Sequence, residues 1–147
     1  MKKWMIVCAL AALWYGLSCT EASCESAAEA VTPSQANPNG DSELALLMRQ
    51  MFEEGQRMKE QVRKGEKVTV SVDYARIHTA QATQPEKAAS DEYRAFALSY
   101  EATMDAIREA PPAEAAELYD GMVQACMNCH QALCPGPTVR IKKLALQ

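Results

Sequence analysis

Residues 126–130 read Cys-Met-Asn-Cys-His. Two thiols three positions apart, followed at once by an imidazole, are the groups that can bond the two vinyl substituents of a haem and ligate its iron. On an α-helix, positions i, i+3 and i+4 share one face, so Cys126, Cys129 and His130 can address a single ligand edge. With six Cys and two His in 147 residues, a chain of this composition would show the pattern by chance about three times in a thousand. The expected cofactor is therefore one haem c, held by Cys126 and Cys129, with His130 on the iron.

Two other chemistries use the same residue types. A Cys-x-x-Cys dithiol redox centre wants a βαβ context, and here the pair closes a long helical pattern with no strand before it. A zinc site could recruit Cys126, Cys129, Cys134 and His130, but adjacent Cys129 and His130 are awkward joint ligands and no second ligand pair follows. No hydrolytic constellation can be assembled from two histidines when one is assigned to iron, so an enzyme is not expected.

The motif needs helices to hold it, and the hydrophobic pattern supplies them. A first helix is expected from Asp41 or Ser42, either a natural N-cap, to Gly65. Its apolar stripe runs Leu44, Leu47, Met48, Met51, Phe52, Gly55, Met58, Val62, leaving Glu53, Glu54, Gln56, Arg57 and Glu60 to face water. Gly55 costs about 1 kcal/mol relative to Ala inside a helix, which suggests that a crossing helix or a haem edge approaches its backbone. The β-branched run Val68–Val72 has no partner strand and reads as an extended connection, after which Asp73 caps a short helix to Ala82. A third helix opens at Pro85 or Ser90, carries Tyr93, Phe96, Tyr100, Met104 and Ile107, and stops at Pro111-Pro112. The last begins near Pro112 or Ala113, turns Leu118, Met122, Ala125, Cys126, Cys129 and Leu133 inward, and is broken by Pro135-Gly136-Pro137. The fold class expected is all-α: an antiparallel four-helix bundle with covalently attached haem c on the last helix.

Upstream of residue 41 the chain has the layout of an export signal. Met1-Lys2-Lys3 precedes an apolar run from Trp4 to Leu17, too short for a comfortable membrane span. The expected organisation is a signal peptide over 1–18, a flexible tether over 19–40, and a cytochrome domain over 41–147. Cys19 could be acylated as a lipoprotein anchor, although Gly16 stands where such signals usually carry an aliphatic residue, and cleavage after Ala22 is the alternative. Cys8 would leave with the signal, while Cys24 and Cys134 could form a disulfide after export. The expected location is periplasmic, or membrane-anchored and facing the periplasm. Loss of residues 1–18 removes Lys2 and Lys3 and takes the formal charge from −4 to −6. That acidity argues against nucleic acid as a partner and suits a redox partner protein with a basic patch. The basic tail Arg140-Ile141-Lys142-Lys143-Leu144 is expected to be solvated, with folding over a haem propionate as the alternative. Bundles of this kind often pair, and nothing in the stripes specifies or forbids a homodimer.

The arrangement resembles class II c-type cytochromes, the cytochrome c-prime group and its six-coordinate relatives, over residues 41–133. The resemblance implies thioethers at Cys126 and Cys129, His130 as the proximal ligand, and a first-helix side chain that covers or binds the distal face. One departure stands out: cytochromes c-prime usually carry a basic residue shortly after the His, where this chain has Leu133-Cys134-Pro135.

The 17 residues after His130 contain neither Met nor His, so a protein ligand on the distal side must come from upstream. Met48 is favoured, because an antiparallel first helix brings its start beside the end of the last helix. Met51 is the close competitor, Phe52 is a lining residue, and Met at helical spacing is also ordinary core filler. With His130 and Met48 on the axis, the expected function is one-electron transfer as an exported monohaem carrier. If the distal site is open, the alternative is a five-coordinate haem protein that binds nitric oxide or carbon monoxide.

Overall fold

A computed structural model describes residues 40–146, and these belong to one compact unit. The expected signal and tether, with Cys8, Cys19 and Cys24, lie outside the described residues. Among the described residues all regular structure is helical. Three long helices dominate: α1 (Glu43–Arg63), α3 (Asp91–Glu109) and α4 (Ala115–Leu133). Short pieces connect and close them: a 3-10 turn at Tyr74–His78, α2 (Pro85–Ala88), α5 (Thr138–Ile141) and a 3-10 turn at Lys142–Leu144. No described helix is long and apolar enough to cross a membrane.

The ends of α1 follow local chemistry. The Ser42 hydroxyl accepts from the Ala45 N–H at 3.2 Å, satisfying one of the free amides of the first turn. At the other end Gly65 takes φ +68°, with Gly65 N–H donating to Val62 O (3.0 Å) and Glu66 N–H to Gln61 O (2.9 Å). This paired closure requires a residue at ease in the left-handed region, which glycine is. Ser90 caps α3 in the same way as Ser42, through the Tyr93 N–H at 3.1 Å, while Pro85 opens the separate one-turn α2.

The β-branched run after α1 is extended and unpaired by any strand. Its backbone finds partners on α1 instead. Thr69 N–H donates to the Gln61 side chain at 3.1 Å, and Ser71 N–H to Glu54 Oε1 at 2.5 Å. Side-chain acceptors at alternate residues thus do what a neighbouring strand would do. One consequence corrects the sequence reading of Glu54, which is 7% exposed rather than facing water. Arg57 Nη2 sits 2.5 Å from its carboxylate and the Ser71 hydroxyl donates at 3.1 Å, the compensation that a buried charge needs.

The helix expected from Asp73 to Ala82 is also corrected. Only Tyr74–His78 coils, as a 3-10 turn, and Asp73 makes no side-chain cap. Tyr74 and Ile77 from this turn are buried, and the Tyr93 hydroxyl donates to Ile77 O at 2.8 Å. Beyond it, Gln81 O accepts from the Leu44 N–H at 2.9 Å, serving another free amide of α1.

Helix α4 runs back along α3: Thr103 lies beside Gly121, while Lys87, just before α3, donates to Leu133 O at 3.0 Å. Tyr100, Met104 and Ile107 of α3 are buried, as the stripe predicts, and Ala97 joins them. On α4 the buried face is rotated from expectation. Ala115, Tyr119, Met122, Val123 and Met127 are buried, whereas Leu118, Ala125, Cys126, Cys129 and Leu133 are half-buried.

The rotation comes from the tail, which is folded rather than solvated. Ile141 and Leu144 are buried against α1 and α4. A hypothetical Cβ on Gly55 would meet the Leu144 methyls at 3.2 and 3.3 Å, so the close approach that Gly55 permits is made by the tail. The buried Tyr119 hydroxyl lies 3.1 Å from Gly55 O and 2.9 Å from Leu144 O, pinning α1, α4 and the tail at one point. Arg140 stacks over the Phe52 ring, 4.7 Å from its centroid, a favourable cation–π placement.

Candidate haem-attachment site

Cys126, Cys129 and His130 occupy the last two turns of α4 and are half-buried. The turn after the helix shapes the histidine. Cys134 leaves helical geometry at φ −153°, ψ 76°, and its carbonyl oxygen sits 3.1 Å from His130 Nδ1. A carbonyl can only accept, so Nδ1 carries the proton and Nε2 keeps its lone pair. That is the tautomer of a metal-binding histidine whose second nitrogen is held by the backbone. Burial lowers the His130 pKa, against the opposing effect of the Cys134 carbonyl, so the ring favours its neutral, ligating form.

Cys126, Cys129 and Cys134 are free thiols. Burial, then the neighbouring Cys129, pushes the Cys126 thiol up to about 12, and its Sγ lies 3.8 Å from Met122 Sδ. Burial, then Cys134 and Glu92, pushes Cys129 up to about 11. Neither is a reactive thiolate of the kind a dithiol oxidoreductase uses. Tyr93 of α3, raised to about 12 by burial and by Cys129, and Tyr100, raised well above its ordinary value by burial and by Cys126, identify the wall that the thiols face.

The donor set fits a haem: two thiols and a tautomerically fixed imidazole on one helix face. Cys126 Sγ rests against Met122 Sδ, so a macrocycle bonded at Cys126 would have to displace the Met122 side chain. Two surface grooves, one beside Glu54 and Ser71 and one beside Tyr74 and Asp105, do not touch the motif. Among the described residues no group of three or more His, Cys, Asp or Glu is arranged to hold a metal ion.

On α1, Met51 is buried in the core and Met48 and Phe52 are half-buried on the flank that carries Arg140. His78 stands apart, exposed on the 3-10 turn with Nε2 2.9 Å from Glu101. The start of α1 and the end of α4 share one end of the molecule. Thr83 donates to the Ser42 hydroxyl at 2.9 Å, and Lys87, four residues on, reaches Leu133. Sequence reasoning missed the Cys134 carbonyl, because backbone acceptors carry no residue-type signal. It also did not foresee that Arg140 of the tail stacks on Phe52, 88 positions away.

No protein-family profile, curated protein or solved structure matches the chain.

Proposed function

We propose that this chain is an exported monohaem cytochrome of the class II type, a one-electron carrier rather than an enzyme, with His130 and Met48 as axial ligands. The observation that carries the reading is the motif helix itself: Cys126, Cys129 and His130 on one face, with His130 Nδ1 committed to the Cys134 carbonyl and Nε2 left to ligate. A bound haem would supply reversible one-electron chemistry at its iron. The protein's part is to attach it, present the imidazole in the right tautomer and exclude water.

Helix geometry favours Met48 over Met51. From the contact between Tyr119 and Gly55, His130 lies about 16 Å along α4. Going back along α1, Met48 lies about 10 Å and Met51 about 6 Å from the same contact. Both displacements lead to the shared end of the molecule, consistent with an antiparallel bundle whose fourth element is the short connecting turns. Side chains lean toward the N-terminus of their own helix. Met48 thus leans toward the level of His130 and His130 leans back toward Met48, which closes a gap of about 6 Å but not one of about 10 Å.

The test is the visible spectrum of the haem-loaded protein in both oxidation states, followed by carbon monoxide added to the ferrous form. A low-spin spectrum with a far-red Met-to-iron band and no carbon monoxide shift is expected. Met48→Ala should keep the haem covalently attached and open one coordination site, Met51→Ala should leave the spectrum unchanged, and His130→Ala should abolish normal ligation. A wild-type high-spin spectrum that shifts with carbon monoxide replaces electron transfer with gas binding. Failure to acquire haem in a strain that attaches haem c ends the reading.

A further inference from the structure

The tail is amphipathic on a scale of two turns. Ile141 and Leu144, three apart, are its buried side. Val139, Lys142 and Lys143, at i, i+3 and i+4, share the opposite side. Val139 is 71% exposed, more than Leu46 or Leu98, the other exposed large apolar residues among the described ones. Lys142 and Lys143 are exposed as well. Arg140 emerges at the flank over Phe52, and Lys59 of α1 donates to Lys143 O at 3.1 Å, which brings a fourth cation to the same place. Among the described residues none of these four cations forms an ion pair with a carboxylate. The backbone beneath them is held by the Tyr119 hydroxyl and by Leu144 packed on Gly55, so the cations are displayed from a fixed platform.

We propose that the face formed by Val139, Lys142 and Lys143, flanked by Arg140 and Lys59, docks on an anionic lipid surface. The chain carries a formal charge of −4, so a local concentration of cations is a directional feature that draws this face toward a negative surface. Lys/Arg side chains gathered beside an exposed apolar residue suit a phospholipid interface, where the cations meet headgroup phosphates and the Val side chain enters the boundary with the acyl chains. An acidic protein patch would also take the charges but gives no reason for an exposed Val beside them.

The experiment is co-sedimentation of the full chain with vesicles of phosphatidylcholine alone, or of phosphatidylcholine with 30% phosphatidylglycerol, over a salt series. The apolar run at 4–17 and any acyl chain on Cys19 act equally in every variant, so the wild-type to variant ratio on one vesicle type isolates this face. At low salt the Lys142→Gln/Lys143→Gln double variant should bind the anionic vesicles roughly 30-fold more weakly than wild type, and neither chain should distinguish them at high salt. Val139→Asp should weaken binding on anionic vesicles further. Both substitutions lie on exposed positions, and unchanged helical circular dichroism verifies the fold. Equal binding of wild type and double variant overturns the proposal. So does wild-type retention on immobilised polyglutamate, lost in the double variant, without a preference for anionic vesicles, which would assign the face to an acidic protein.

Discussion

Replacing Gly55 by Ala sets two effects of known size against each other. In a helix interior the substitution is worth about 1 kcal/mol in favour of Ala, from reduced backbone entropy in the unfolded chain. Against it stands the new Cβ, 3.2 and 3.3 Å from the Leu144 methyls. Leu144 is 2% exposed and cannot swing out to solvent without lifting the tail from Tyr119. Overpacking of this kind costs about 1–3 kcal/mol. The expected net is a loss of about 1 kcal/mol, or about 5 °C in melting temperature for a domain this size.

The sign should reverse when Leu144 is cut back. Leu144→Ala alone should cost about 2–3 kcal/mol, near the low end for a buried Leu because the short 3-10 turn that carries it can settle into the space. In that background Gly55→Ala meets no methyl groups and should stabilise by about 1 kcal/mol. A double-mutant cycle by urea denaturation should therefore give a coupling of about 2 kcal/mol, well above the roughly 0.5 kcal/mol within which independent sites add. If Gly55→Ala stabilises the wild-type chain as much as it stabilises the Leu144→Ala chain, the tail does not lie on α1 and the account of Gly55 is wrong.

Glu54 and the motif thiols give two further expectations. Burial alone would raise the Glu54 pKa, but Arg57 and the Ser71 N–H and hydroxyl hold it below its ordinary 4.5. Its contribution is thus complete above about pH 4.5 and is lost as pH falls through the lower folded value. Glu54→Gln should cost about 2 kcal/mol at pH 7 and progressively less below pH 4.5; a pH-independent deficit in urea titrations would contradict this. In the haem-free chain, Cys126 at about 12 rather than 9.0 holds about a thousandfold less thiolate at pH 8 than an unfolded chain. Iodoacetamide should therefore label Cys126 more slowly than Cys129, as read by peptide mass spectrometry, and labelling of Cys126 at the unfolded rate would refute its burial.

What was legible in the sequence is what local chemistry determines. Ser42, Gly65 and Ser90 punctuate the helices because capping is decided within four residues, and Cys126 to His130 fall within one helix, as their spacing suggested. What was not legible depends on partners distant in the chain. Glu54 looks like a surface residue until Arg57 and Ser71 close around it. The tail looks solvated because three cations mask Ile141 and Leu144, whose burial needs the gap left by a glycine some ninety residues earlier. The α4 face was misjudged for the same reason: a helix packed on α3 alone would bury one stripe, but the tail on its other flank also draws in Tyr119.

That second flank bears on the site. The Tyr119 hydroxyl has one proton and two carbonyl oxygens within reach, at Gly55 and Leu144, and it is the point from which the levels of Met48 and His130 are measured along their helices. A slip of α1 by one turn at this point would move Met48 by about 5.4 Å, which is nearly the whole gap that separates it from the level of His130. On the proposed His130 and Met48 ligation, the contacts that bury the tail would also set which methionine lies nearer the level of the motif. On this reasoning Tyr119→Phe, which keeps the ring but removes the hydroxyl, should disturb distal ligation in the haem-loaded protein more than its modest effect on stability would suggest. Ferrous carbon monoxide binding in that variant reads the difference, and a variant as closed to carbon monoxide as the wild type would separate the tail from the site.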